Sequence, residues 1–237
     1  MPERPALFLD FDGTLVEIAD RPDAVIVDPM VPSLIERLVA KTGGAVAVIS
    51  GRRIEEIDAF LHTAIAAAGM HGSQRRAEPG AEVAVLSDSP QVALLRDRLH
   101  DSGLIAGPIR LEDKGAGIAV HYRAAPDRGE EVARRMEEAI ADLDELNLLH
   151  GKMVVEAKRK GFDKGAAVRG FMEHAPFEGR TPVFLGDDVT DEDGIKACNA
   201  LGGFGVKVGP GETAAAYRVD DVAAILSWLT TVADTAR

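Results

Sequence analysis

The sequence contains a single cysteine, Cys198, among 237 residues. One cysteine excludes an internal disulfide framework. The first residues include acids where a secretory signal would be apolar, so no signal peptide is expected. These features predict a cytoplasmic protein in a reducing compartment. Because no base stands near Cys198 in the sequence, this thiol is expected to be buried and unreactive.

Long apolar runs and long basic runs are also missing. No stretch reaches the roughly 18 unbroken apolar residues of a membrane span, so no membrane partner is expected. The formal net charge of -12 repels nucleic-acid phosphate, and no Lys/Arg run is long enough for a binding stripe. The segment GGFGVKVGPG lacks the GxGxxG spacing of a dinucleotide loop. We therefore expect a monomer that acts on a small molecule, with no nucleic-acid partner.

Apolar runs and helical stretches alternate in the first and last parts of the chain. With 46% hydrophobic residues, the chain can build one large domain or two smaller ones. Strands separated by helices predict an α/β fold, in which helices cover both faces of a mostly parallel sheet. The predicted elements are the strand of ALFLDFDGTL (6–15), a helix at 30–41, a strand at 45–50, helices at 52–62 and 164–174, strands at 181–188 and 204–209, and a terminal helix.

The middle of the chain, residues 77–157, has a different texture. Short alternating runs (EVAVL, GIAVHY, KMVVEA) are interspersed with charged amphipathic helices near 90–102 and 128–144. This pattern predicts an α+β insert that interrupts one split sheet. The predicted domains are therefore a core of residues 1–76 and 158–237 and an inserted cap of residues 77–157.

Three predicted core strands each end in a polar group. Asp10 follows ALFL, Ser50 follows AVAVI, and Asp187 with Asp188 follows PVFLG. The carboxyl ends of parallel strands share one edge of a sheet, where ligands bind in open α/β folds. Lys164 begins a helix, where positive charge opposes the helix dipole, so its position predicts an anionic partner. We expect all of these side chains to converge on one crevice.

This set of side chains suits phosphoryl transfer. Clustered carboxylates repel one another unless a cation neutralises them, and oxygen ligands of this kind suit Mg²⁺. Asp10 can act as nucleophile and form an aspartyl-phosphate, and Asp12 can act as general acid and then base. Ser50 and Lys164 can hold the phosphoryl oxygens, and Asp187 can hold the metal.

Each of these residues also has a simpler interpretation. An isolated DxDG is more often a strand-end turn. Ser50 can cap the helix that follows it, and Asp191 can be an ordinary acid at a helix start. Glu112 and Lys114, two residues apart, can be a solvated pair on a sheet edge.

Four short motifs, DFDGTL, VISGR, the Lys of DKG and GDDVTDED, resemble in order those of the haloacid dehalogenase-like phosphohydrolases. The resemblance implies a Rossmann-like parallel-sheet core with an inserted α+β cap of the C2 type. It implies Asp10 as nucleophile and Asp12 as acid/base. It also implies that Asp10, the backbone carbonyl of Asp12 and Asp187 hold Mg²⁺, with Asp188 and Asp191 in support.

Longer segments resemble the trehalose-6-phosphate phosphatase family. They are GMHGSQRR (69–76), LEDKGAGIAVHYR (111–123), VVEA with FDKG (154–165) and VKVGPGETAAAYRV (206–219). The resemblance implies that Glu112, Lys114 and Glu156 contact the distal glucose. His121 and Arg123 would line the same face or reach the phosphate. Gly51 and Arg52 of the second motif complete the expected substrate-binding set.

The resemblance implies a Mg²⁺-dependent phosphatase that converts trehalose 6-phosphate to trehalose and phosphate. A first alternative is another sugar-phosphate phosphatase or a phosphomutase with the same kind of cap. A second is a non-catalytic sugar-phosphate sensor. A sensor would be expected to have lost Asp10, Asp12, Lys164 or Asp187, and all four are present.

Overall fold

The computed structural model describes residues 2–19, 21, 24–86, 89–151 and 153–235. The chain forms two compact units, one of Met1–Ala84 with Asp163–Arg237 and the other, the insert, of Val85–Phe162. The insert therefore begins and ends later along the chain than the sequence pattern predicts. Among the described residues, no helix is both long and apolar enough to cross a membrane.

The strands and helices are numbered along the chain. The strands of the described residues are β1 (Pro5–Leu9), β2 (Val46–Ile49), β3 (Ala66–Gly69), β4 (Gln74–Arg76), β5 (Ala84–Val85), β6 (Arg110–Asp113), β7 (Gly117–His121), β8 (Leu146–Gly151), β9 (Val154–Arg159), β10 (Thr181–Gly186), β11 (Phe204–Val208) and β12 (Tyr217–Val219). The helices are α1 (Met30–Thr42), α2 (Ile54–Leu61), α3 (Pro90–Asp101), α4 (Gly129–Ile140), α5 (Lys164–Met172), α6 (Asp191–Ala200) and α7 (Val222–Asp234).

An eight-stranded sheet in the order β12-β11-β10-β1-β2-β3-β4-β5 runs through the first unit. The neighbours from β12 to β3 pair in parallel, and β4 runs antiparallel to β3. Leu9, the last residue of β1, is in register with Leu185 of β10 and Val48 of β2. The carboxyl ends of these three strands therefore lie side by side, as predicted.

Both faces of this sheet are covered, because successive strand side chains point to opposite sides. Leu7 and Leu9 of β1 belong to an apolar cluster with residues of α1, α2 and α7. Ala6 and Phe8 belong to a second cluster with residues of α5 and α6. The predicted α/β core is thus confirmed. Strand β3 is absent from the predicted elements, because its sequence, AAAG, has little β propensity.

The insert is an antiparallel sheet in the order β6-β7-β9-β8 with two helices. One face of this sheet carries Ile118, Val120, Val155 and Ala157, which pack with residues of α3 and α4 in a separate apolar cluster. The same strands place charged residues on the opposite face. The insert is therefore the α+β element expected from its alternating sequence.

Candidate active site

Asp10 lies directly after β1 and is almost fully buried. Its backbone N–H donates to the carbonyl of Leu185 at 2.9 Å, so β10 fixes its position. Only 4% of its surface is exposed. Burial raises the pKa of Asp10 well above its ordinary value, and the nearby ammonium of Lys164 acts in the opposite direction. The carboxylate that the sequence predicts as nucleophile is thus held at the end of the central strand.

Lys164 is the first residue of α5 and is equally buried. Asp163 caps the helix, accepting a hydrogen bond from the N–H of Ala166. The Lys164 ammonium donates to Asp10 Oδ1 at 2.7 Å and to Asp191 Oδ1 at 2.5 Å. Burial alone would lower the pKa of Lys164, but these two carboxylates raise it above its ordinary value. The anionic partners that its position predicted are present.

Asp191 begins α6 and is fully buried. Its Oδ2 accepts hydrogen bonds from the backbone N–H groups of Asp187 and Asp188, at 2.9 and 3.0 Å. Burial raises the pKa of Asp191 to about 6, against the opposing effect of Lys164. Asp191 therefore ties the loop after β10 to Lys164, which is more than the ordinary helix-start role.

Asp188, a predicted support for the metal, caps the start of α6. Its Oδ1 accepts hydrogen bonds from the Thr190 N–H at 2.7 Å, the Thr190 hydroxyl at 2.8 Å and the Asp191 N–H at 3.1 Å. Burial opposes ionisation, but Lys164 and these hydrogen bonds bring the pKa of Asp188 below its ordinary value. The side chain lies outside the acidic cluster described next.

Asp10, Asp187 and Asp191 form an acidic cluster. Each offers one carboxylate oxygen, and these oxygens lie within 4.8 Å of one another. Burial raises the pKa of Asp187, with repulsion from Asp188 adding to the effect. Three carboxylate oxygens at this separation fit a hard divalent cation such as Mg²⁺.

Asp12 is paired with Arg52 instead of joining that cluster. The guanidinium donates from Nε to Asp12 Oδ2 and from Nη2 to Asp12 Oδ1, both at 2.7 Å. The family resemblance implies a substrate-binding role for Arg52. In the structure it makes a two-pronged ion pair with the predicted acid/base.

Ser50 and Gly51 follow β2 at the same sheet edge. Ser50 is buried, and its hydroxyl accepts from the Arg52 N–H at 3.2 Å. It does not cap α2, because that helix begins at Ile54, whose N–H donates to Gln74 Oε1 at 3.0 Å.

A Cβ at Gly51 would stand 2.9 Å from His71 Nε2. This packing explains a glycine immediately after Ser50.

The predicted sugar-binding residues of the insert lie on one face of its sheet. Glu112, Ala119 and Glu156 are in register across β6, β7 and β9. Glu112 Oε2 and His121 Nε2 are hydrogen-bonded at 2.8 Å, and the Lys114 ammonium donates to Glu156 Oε2 at 3.1 Å. The structure therefore brings Glu112, Lys114, His121 and Glu156 together. Arg123 lies two residues beyond β7 and is exposed.

Lys207, on β11, is a buried cation that is not among the predicted site residues. It is 3% exposed, and its ammonium donates to the backbone carbonyl of Asp187. A charged residue inside the otherwise apolar strand FGVKV is the signal that could have identified it. Lys207 supports the acidic cluster from the strand next to β10.

The fold and this site define a class of protein. A covered, mostly parallel sheet carries an aspartate after its central strand, a lysine at a helix start and an acidic loop, and the chain is interrupted by an α+β insert. These are the features of haloacid dehalogenase-like phosphohydrolases with a cap domain.

Comparison with known sequences then identifies the family. The sequence model of the family described as trehalose-phosphatase matches residues 8–223. The chain therefore belongs to the trehalose-phosphatase family and is a phosphoric monoester hydrolase. The match extends across both units of the fold.

Named relatives agree with this assignment. The chain is 41% identical over 229 residues to a trehalose-6-phosphate phosphatase of Escherichia coli (strain K12), covering 94% of this chain and 85% of that protein. It is 40% identical over 207 residues to a probable trehalose-phosphate phosphatase of Sinorhizobium fredii, covering 86% and 78%. A crystal structure of Aspergillus fumigatus trehalose-6-phosphate phosphatase superposes with a TM-score of 0.77 at 26% identity, covering 98% of this chain and 94% of that one.

Proposed function

We propose that this chain hydrolyses trehalose 6-phosphate to trehalose and inorganic phosphate, with Mg²⁺ as cofactor, as a cytoplasmic monomer. The observation that carries the hydrolytic chemistry is the buried Asp10 carboxylate, held 2.7 Å from the Lys164 ammonium beside the acidic cluster. The choice of substrate follows the names of the relatives that are about 40% identical.

The first step transfers the phosphoryl group to Asp10. A carboxylate oxygen of Asp10 forms a bond to phosphorus while the bond from phosphorus to the sugar oxygen breaks. Asp12 gives its proton to the departing sugar oxygen, so trehalose leaves as a neutral alcohol. Lys164, Ser50 and the backbone N–H groups after β2 bind the phosphoryl oxygens.

The second step releases phosphate and restores the enzyme. Asp12, now a carboxylate, takes a proton from water as the water oxygen bonds to phosphorus. The bond between phosphorus and the Asp10 oxygen breaks, which regenerates the Asp10 carboxylate. Asp12 is left protonated for the next turnover, so the proton balance closes over the two steps.

Asp10, Asp187 and Asp191 are the side chains that would hold Mg²⁺. These three carboxylates face one ammonium group that contacts them, that of Lys164. Two negative charges therefore remain, which one divalent cation would neutralise. When bound, Mg²⁺ supplies positive charge for the transferring phosphoryl group.

Glu112, Lys114 and Glu156 are the residues that we assign to the sugar. A disaccharide presents many hydroxyl groups, which are recognised by charged acceptors and donors at fixed positions. The ion pair of Lys114 with Glu156 and the contact of Glu112 with His121 hold these groups on one sheet face. This arrangement supports recognition of a sugar rather than of a small alkyl ester.

The test is phosphate release with Mg²⁺ from trehalose 6-phosphate beside glucose 6-phosphate, mannose 6-phosphate and sucrose 6-phosphate. Asp10→Asn serves as the control for contaminating phosphatase. We expect strong preference for trehalose 6-phosphate and loss of activity with a chelator. Preference for another ester would retain the hydrolytic site and overturn the substrate, and binding without turnover would favour a sugar-phosphate sensor.

A further inference from the structure

Arg52 forms a bidentate ion pair with the Asp12 carboxylate. Nε and Nη2, the two donors on one edge of the guanidinium, each lie 2.7 Å from a different oxygen of Asp12. Paired hydrogen bonds of this kind fix the plane and direction of a carboxylate as well as its position. Asp12 cannot rotate without breaking at least one of them.

Arg52 is itself held in place. Its guanidinium lies over the rings of Phe11 and Phe60, with centroid distances of 5.6 and 5.0 Å, and its side chain is 10% exposed. Its backbone N–H donates to the Ser50 hydroxyl, and its carbonyl accepts from the Met70 N–H at 2.9 Å. The arginine is therefore a fixed support that packs against two aromatic rings.

Two of the guanidinium donors of Arg52 already bind Asp12, and this limits the role that Arg52 can have in turnover. A guanidinium can bind a phosphoryl group in a two-pronged manner through either of two edges, and Asp12 here occupies the edge formed by Nε and Nη2. We infer that Arg52 is a positioning residue, which aims the Asp12 carboxylate at the leaving oxygen, rather than a phosphate-binding residue. The inference rests on the proposed function. It concerns the orientation of the Asp12 carboxylate and not its protonation state.

The leaving group of the ester distinguishes these two roles. A proton donor matters most when the departing oxygen is strongly basic, as in a sugar, and least when it is a good leaving group, as in 4-nitrophenyl phosphate. A phosphate-binding residue contacts the phosphoryl group of every ester alike. The parameter to compare is kcat/KM, because it includes only the steps up to departure of the leaving group.

The experiment measures kcat/KM with Mg²⁺ for trehalose 6-phosphate, phenyl phosphate and 4-nitrophenyl phosphate. Arg52→Gln is compared with Asp12→Asn, and with Arg53→Gln, which removes the same charge from the exposed neighbouring residue. We expect Arg52→Gln to lose roughly a hundredfold on trehalose 6-phosphate, the lower range of general acid catalysis, and progressively less on the better leaving groups. Asp12→Asn should show the same trend more strongly, and Arg53→Gln should match the wild type.

Two further variants protect the test against a folding defect. Arg52→Lys keeps a positive charge but cannot form the fork, so it should restore only part of the loss on trehalose 6-phosphate. The double variant Arg52→Gln with Asp12→Asn should be no worse than Asp12→Asn alone, because both changes remove one function.

An equal loss by Arg52→Gln on all three esters would overturn the inference and make Arg52 a phosphate-binding residue. Additive losses in the double variant would overturn it as well. A wild-type chain that hydrolyses none of the esters would instead overturn the proposed function, and the inference with it. The two failures are therefore distinguishable.

Discussion

Gly13 lies so close to Asp187 that a Cβ on Gly13 would stand under 3.0 Å from the Asp187 carboxylate. Gly13 also has a φ of 79°, in the left-handed region that favours glycine. The turn after β1 therefore packs closely against the residue that follows β10. Two segments far apart in the sequence share one small volume, and the acidic cluster lies next to it.

Gly13→Ala should destabilise the protein and weaken metal binding. The left-handed conformation costs a non-glycine residue about 1–2 kcal/mol, and crowding against Asp187 adds to this. Gly80→Ala is the matched control, because Gly80 has a φ of 74° but open space around it. The free energy of unfolding, measured with urea, should fall further for Gly13→Ala. An equal fall would show that only the backbone conformation matters.

Asp10→Asn should abolish turnover and leave the fold intact. An amide cannot act as the carboxylate nucleophile, and removal of a covalent nucleophile costs on the order of 10⁴-fold or more in hydrolases. Asn also removes one of three clustered acids, so the unfolding temperature should not decrease. Activity within tenfold of the wild type would exclude Asp10 as nucleophile.

Glu156→Gln should impair hydrolysis of trehalose 6-phosphate far more than that of 4-nitrophenyl phosphate. A hydrogen bond to a charged group contributes about 1.5–3 kcal/mol, which corresponds to a loss of roughly 10- to 150-fold. Glu138→Gln, on the exposed surface of α4, is the matched control. If both esters are affected equally, Glu156 does not contact the sugar.

Lys207→Met should weaken binding of the divalent cation, because loss of the hydrogen bond that fixes Asp187 outweighs loss of the repulsion between the ammonium and the cation. Lys207 donates to the Asp187 carbonyl, and partners that orient a metal ligand typically change metal affinity by about 10- to 100-fold when they are removed. Binding of Mn²⁺, which accepts similar oxygen ligands, can be followed by electron paramagnetic resonance without substrate. Lys196→Met removes the same charge from an exposed position on α6. Equal Mn²⁺ affinity in both variants would refute the role of Lys207.

Cys198 should resist thiol reagents in the native protein. Burial raises the pKa of its thiol to about 12, above the ordinary value of 9.0. The fold keeps the thiol neutral, so this contribution to stability is complete below pH 9 and is lost as the pH rises towards 12. At pH 8, one thiol per chain should react only after unfolding in guanidinium. Rapid labelling of the native protein would contradict this expectation.

The sequence correctly predicts the strands that carry the residues of the site. Asp10, Ser50 and Asp187 each follow a short apolar strand, and the structure places those strands side by side in parallel. The prediction works because a buried parallel strand needs a continuous apolar run, and a turn residue marks its end. Cys198 is also buried, as predicted.

The contacts between side chains within the site are harder to predict from the sequence. The VISGR motif indicates that Arg52 is near the phosphate, but only the tertiary structure shows that its fork is on Asp12. Asp191 looks like a helix-start acid, and its contact with Lys164 depends on the packing of α5 against α6. The contacts of Arg52 with Asp12 and of Asp191 with Lys164 join residues 40 and 27 positions apart, so no local sequence pattern indicates them.

The apolar cluster of the insert draws all of its residues from within the insert. The charged face of β6, β7 and β9 can therefore vary in evolution without disturbing the packing beneath it. If this face binds the sugar as proposed, a family built in this way can acquire a new substrate by exchanging surface residues of one module.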